Sequence, residues 1–155
     1  MKSVSTIKRQ PAFKIIGISV RTSNEDGRAK KDIGTLFASF LSLLMPEQIP
    51  GRLSPDIYCI YTEYESDFNG PYTCIVGCRV DSLENIPDGF VGIYIAESAY
   101  RVYKSVGNLA ECVEDTWMQI WQSDINRKYA ADFDIYGEGA MDPENAEVDI
   151  YVSII

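Results

Sequence analysis

The segments Tyr58-Cys59-Ile60-Tyr61-Thr62-Glu63 and Phe133-Asp134-Ile135-Tyr136-Gly137-Glu138 read as two copies of one strand, set a constant 75 residues apart (133 against 58, 136 against 61, 138 against 63). An aromatic residue, an isoleucine, a tyrosine and a glutamate align, and at Cys59 against Asp134 an acid enters the second copy. A chain that repeats a strand module in this way is constrained to a duplicated sheet. One unmatched carboxylate near its pseudo-symmetric centre points to a pocket for a cationic guest.

Alternating apolar and polar residues mark strands, and apolar residues at steps of three and four mark helices. Both periods occur twice in the same order. In the first half, Val4 to Ile7 is a short strand that Pro11 interrupts, and Phe13 to Val20 follow as a second. Ile33, Leu36, Phe37, Phe40, Leu43 and Leu44 then recur at helical steps, until Pro46 and Ile49-Pro50-Gly51 end the helix. Strands over Ile57 to Glu65 and Tyr72 to Val80 flank the turn Asp67-Phe68-Asn69-Gly70-Pro71.

The second half starts after Ile86-Pro87-Asp88-Gly89, with strands over Phe90 to Ala96 and Ala99 to Lys104. Asn108 is placed to cap the next helix, Glu111 sits at the capping-box position, and Val113, Trp117, Ile120 and Trp121 form an apolar stripe. Ala131 to Glu138 and Ala146 to Ile154 supply the last strands. Phe13 and Ile15 match Tyr100 and Val102, and Ile33 and Phe37 match Trp117 and Trp121. Neither half covers its own sheet. The expected fold is therefore α+β, a single domain over 1–155 with repeats of about 1–85 and 86–155, joined into one antiparallel sheet with both helices on one face.

Charge narrows the partners. The chain has 14 Lys and Arg against 23 Asp and Glu, a net charge of −9, which disfavours a nucleic-acid backbone and favours cations at any acidic cleft. Lys2, Lys8, Arg9, Lys14, Arg21, Arg28, Lys30 and Lys31 gather early but read as a solvated rim. There is no histidine, and Cys59, Cys74, Cys78 and Cys112 lack paired metal-ligand spacing, so no metal or cofactor is expected and the thiols read as buried and free. No apolar run reaches the roughly 20 residues of a membrane span, and the first residues lack the pattern of a secretory signal, which makes the cytoplasm the expected location.

The ordered set Pro11-Ala12-Phe13-Lys14-Ile15-Ile16-Gly17, Tyr61-Thr62-Glu63-Tyr64-Glu65 with Gly70-Pro71-Tyr72, Ala99-Tyr100-Arg101-Val102 with Gly107, Trp117-Met118-Gln119-Ile120-Trp121 and Asp132-Phe133-Asp134-Ile135-Tyr136 resembles the GyrI-like superfamily. These are effector-binding domains, also found at the C-terminal ends of AraC-type and MerR-type regulators, and the short form resembles the integron-associated effector-binding proteins. The resemblance implies two βαββ (SHS2-like) modules forming a curved sheet, which with two helices encloses a central cleft for amphipathic, often cationic compounds. In that family a glutamate two residues before a tyrosine, in the last-but-one strand, lies at the base of the cleft. Here the matching position is Asp134, one methylene shorter, followed by Tyr136.

Strand alternation puts Asp134 and Tyr136 on one face and Phe133 and Ile135 on the other, with Cys59 and Tyr61 matching the first pair. The expected ligand-binding set is Asp134, Tyr136, Tyr61, Tyr100, Glu63, Trp117 and Cys59. A carboxylate among aromatic rings suits a large flat cation and tolerates many shapes, because stacking around one charge needs little directional matching. The leading expectation is a non-enzymatic binder of small cationic amphipathic compounds, monomeric or homodimeric. Any transcriptional role would belong to a separate regulator, since no DNA-binding segment is evident. Two alternatives stand beside it. One is hydrolysis of small electrophiles by the same acid and tyrosine, although no histidine or nucleophile elbow is present. The other is inhibition of a protein such as DNA gyrase.

Overall fold

Each half of the chain runs strand, strand, helix, strand, strand, as the periodicity predicts. The computed structural model describes residues 5–155; Val4 and Lys2, which the sequence places in the first strand and the early basic group, lie outside the described residues. The first half holds β1 (Ser5–Gln10), β2 (Phe13–Thr22), α1 (Arg28–Ser42), β3 (Ile57–Thr62) and β4 (Tyr72–Val80). The second holds β5 (Val91–Ile95), β6 (Ser98–Gly107), α2 (Leu109–Gln122), β7 (Ala131–Tyr136) and β8 (Ala146–Ser153).

All eight strands form one antiparallel sheet in the order β1-β6-β8-β7-β3-β4-β2-β5. The halves meet where β3 pairs with β7, and there Cys59 faces Asp134, its own counterpart in the repeat. A pseudo-twofold axis therefore passes through that pair. The sequence did not disclose that the first strand of each half is exchanged: β1 pairs with β6 of the second half, and β5 with β2 of the first.

The sheet is curved, and its aromatic residues show how strongly. Phe13 on β2 and Phe133 on β7 are three strands apart, about 14 Å on a flat sheet, yet their ring centroids lie 5.1 Å apart. Phe13, Tyr58, Tyr100, Phe133 and Tyr151 thus fill the concave side as one buried cluster. On the convex side α1 packs on Ile16, Cys74, Val76 and Cys78 through Phe40, and α2 packs on Tyr103, Val148, Ile150 and Val152 through Trp117 and Ile120. Convexity spreads the two helices apart. Between them a gap opens over β3 and β7.

Element ends follow local chemistry. Asn108 caps α2, its side-chain oxygen accepting from the Ala110 amide at 3.0 Å, whereas α1 starts from Gly27 without a side-chain cap. Asn108→Ala is expected to lower stability by about 1 kcal/mol in urea unfolding. The first helix stops two residues short of the expected apolar run, and Leu44 turns to φ 51°. Leu43 and Leu44 are consequently exposed rather than part of the apolar stripe. Strand β3 ends at Thr62 and not Glu65, because Glu63 adopts φ 53°. All four cysteines are buried and free. Among the described residues no helix is long and apolar enough to cross a membrane.

Candidate functional site

Alternation along β7 turns Asp132, Asp134 and Tyr136 to the convex face, into the gap between the helices, while Phe133 joins the concave core. Asp134 is fully buried. Its Oδ2 accepts from the hydroxyls of Tyr61 at 2.6 Å and Tyr136 at 3.2 Å, and its Oδ1 accepts from the Trp117 indole nitrogen at 3.0 Å. The two tyrosines are repeat counterparts, so the pseudo-twofold brings equivalent hydroxyls from β3 and β7 onto one carboxylate.

Burial dominates the electrostatics here. Desolvation pushes the Asp134 carboxyl up to about 7, against the pull of the hydrogen bonds from Tyr61, Trp117 and Tyr136. Burial, then the Asp134 charge, raises Tyr61 and Tyr136 well above the ordinary tyrosine range, which keeps both hydroxyls protonated as donors. The result is a fixed acid roofed by three rings.

Above those rings lies a cleft of about 460 Å³, within the range of small-molecule sites. Ile33, Gly34 and Phe37 of α1 form one wall, and Val113, Trp117 and Trp121 of α2 the other. Tyr61, Tyr72 and Tyr136 make the floor. Lys30 of α1 and Glu114 of α2, both largely exposed, pair at 3.2 Å across the rim. Phe68, from the turn between β3 and β4, stacks on Trp121 with centroids 5.8 Å apart and planes 6° from parallel, closing one end.

The sequence-predicted residues divide by position. Asp134, Tyr136, Tyr61 and Trp117 come together, although Asp134 stands behind the floor and not on its surface. Cys59 is on the same face but buried, with its sulfur 3.4 Å from that of Cys74. Tyr100 is on the concave side, packed edge-on to Phe133, away from the cleft. Glu63 is exposed beyond the end of β3, where its carboxylate accepts from Thr73 at 3.4 Å.

Periodicity missed other members of the site. Strict alternation would send Tyr64 to the concave side, but the positive φ of Glu63 turns the chain and brings Tyr64 to the cleft. There its hydroxyl donates to Asp132 Oδ2 at 2.6 Å. Asp132 is a second fully buried acid, receiving the Ser153 amide and hydroxyl on Oδ1 and Arg127 on Oδ2. Its position two residues before Asp134 was the available signal. Arg127 comes from the irregular segment between α2 and β7, where no period points to it.

A family model described as integron-associated effector binding protein matches residues 6–154. The chain belongs to that family. A candidate transcriptional regulator of Bacillus subtilis, YobU, is 33% identical over 146 residues, covering 89% of each chain. An integron cassette protein of Vibrio cholerae shares the fold with TM-score 0.75 and 26% identity, covering 97% of this chain and 95% of that one. SAV2435, solved with tetraphenylphosphonium bound, superposes with TM-score 0.80 at 16% identity, covering 98% of this chain and 94% of that one. Both solved structures share the overall fold of this chain.

Proposed function

We propose that this effector-binding protein captures cationic aromatic compounds in the cleft between α1 and α2 and passes their presence to a separate transcription regulator. The observation that carries the ligand class is the buried Asp134 under Tyr61, Tyr136 and Trp117. An ionised carboxylate held behind ring faces attracts a cation lying on those rings, and each ring adds on the order of 0.5–2 kcal/mol. At an effective dielectric near 20, a unit charge about 7 Å away, across one ring layer, gains roughly 2.4 kcal/mol. Apolar walls contribute the rest, at about 25 cal/mol per Å² of surface covered. Tetraphenylphosphonium, the ligand of SAV2435, is a compound of this class.

Capture fits the geometry better than turnover. Each Asp134 oxygen already accepts a hydrogen bond and neither reaches the cleft surface, so the acid is poorly placed to take a proton from a substrate. Both tryptophans of the chain line the cleft, which makes intrinsic fluorescence a direct probe. Titration at pH 8 with tetraphenylphosphonium and with tetraphenylborate, its anionic isostere, tests the charge preference. Saturable quenching by the phosphonium, at least tenfold tighter than by the borate, is expected. Equal affinity, or preference for the borate, would remove the role given to Asp134.

A further inference from the structure

One end of the cleft is lined by a guanidinium whose hydrogen-bonding capacity is mostly unused. Arg127 has a side chain only 5% exposed and donates from Nη2 to Asp132 Oδ2 at 2.8 Å, but its Nε and Nη1 meet no acceptor. The rings of Tyr129, Trp117 and Tyr64 surround it, with centroids 4.3, 5.6 and 5.9 Å from Cζ. Ring faces satisfy a cation only in part, and a buried donor without an acceptor is costly.

The group is also held in place. Asp132 is fixed by Ser153 and Tyr64, and the backbone beside Arg127 is tied down by the Lys128 amide bonding to Ser153 and the Ile155 amide bonding to Asn126. Two donors are therefore kept oriented at the edge of a ligand cleft with nothing to bind. Arg127 lines the cleft together with Tyr64 and Trp117, two of the three rings that cover it, while Tyr129, the nearest ring, is half-buried on the irregular segment before β7.

We infer that the preferred ligand is a cationic aromatic compound that also carries an oxygen acceptor, best a carboxylate, and that Arg127 selects for that acceptor. This rests on the cation-binding reading above. A site with donors in waiting discriminates strongly against an analogue that lacks the matching acceptor. Tetraphenylphosphonium and (4-carboxyphenyl)triphenylphosphonium share one scaffold and differ in that group alone.

At pH 8 the wild-type protein is expected to bind the carboxylated compound at least tenfold tighter than the parent. In Arg127→Met the ratio of the two affinities should fall to about one, and Arg127→Lys should keep part of the advantage. No advantage in wild type, or an advantage that survives in Arg127→Met, would overturn the inference. The wild-type pair decides the matter even where the Met variant fails to fold. If the parent binds and the carboxylate adds nothing, this inference alone fails; if neither compound binds, the cation reading falls with it.

Discussion

Replacing Asp134 by asparagine is expected to make the protein more stable above pH 7 and a poorer binder of cations at the same time. The stability effect follows from linkage. The carboxyl titrates near 7 in the fold and near its ordinary 3.8 when unfolded, so between those values the folded state holds a proton that the unfolded state has lost. Stability therefore falls as pH rises through that window and levels off above 7. Between pH 5 and pH 8 the loss is about 3 kcal/mol, which corresponds to roughly 6–12 °C in melting temperature for a chain of this size. An asparagine side chain has no charge to desolvate, so the variant's melting temperature should gain on wild type by that amount across the same range. Melting curves of both proteins at pH 5, 6, 7 and 8 check it; a constant difference would mean that Asp134 is not the strained group.

The same substitution should lower the affinity for tetraphenylphosphonium at pH 8 by one to two orders of magnitude, the equivalent of the Coulomb gain estimated for a charge across one ring layer. The opposite signs belong to one cause. On the proposed function, energy lost in burying the carboxylate would be recovered when a cation occupies the cleft, a trade of stability for function seen at many binding sites. A substitution that merely damaged the fold would lower both.

The second large effect lies far from the cleft. Gly17 on β2 faces Gly77 on β4, and a Cβ on either would collide with backbone of the opposite strand, at the carbonyl of Val76 or of Ile16. This bare pair allows β2 and β4 to close on one another. Neither backbone can yield without breaking the ladder, so Gly17→Val and Gly77→Val are each expected to cost more than about 4 kcal/mol or to prevent folding. Urea unfolding of the two variants tests this. Wild-type stability in either would show that the strands are not so closely apposed.

Much of this was legible in the sequence because the repeat carries it. The 75-residue offset between Tyr58 and Phe133 announced the duplicated strand and the acid that stands at 134 where the first copy has Cys59, and strand alternation put Asp134, Tyr136 and Tyr61 on a common face. Pairing was less legible. Nothing local tells β1 to lie on β6 rather than on β2, because exchange of an edge strand is decided by which half offers an open edge. Tyr100 belongs to the expected ligand set, yet the structure packs it in the aromatic core on the concave side; its match to Phe13 in the repeat was the signal that pointed there. A single backbone turn at φ 53°, which no side-chain period records, takes Glu63 out of the expected set and brings in Tyr64. Arg127 sits in a segment without regular structure, and the role proposed for it rests on the burial of its unpartnered nitrogens.

The affinity of tetraphenylphosphonium measured calorimetrically from pH 5 to pH 8, in wild type and in Asp134→Asn, tests the central claim most directly. The wild-type affinity should climb by one to two orders of magnitude and level off above about pH 7 as the buried carboxyl ionises, while the variant stays flat near the wild-type value at pH 5. A wild-type affinity that does not change with pH, or a variant that binds as tightly as wild type at pH 8, would contradict it.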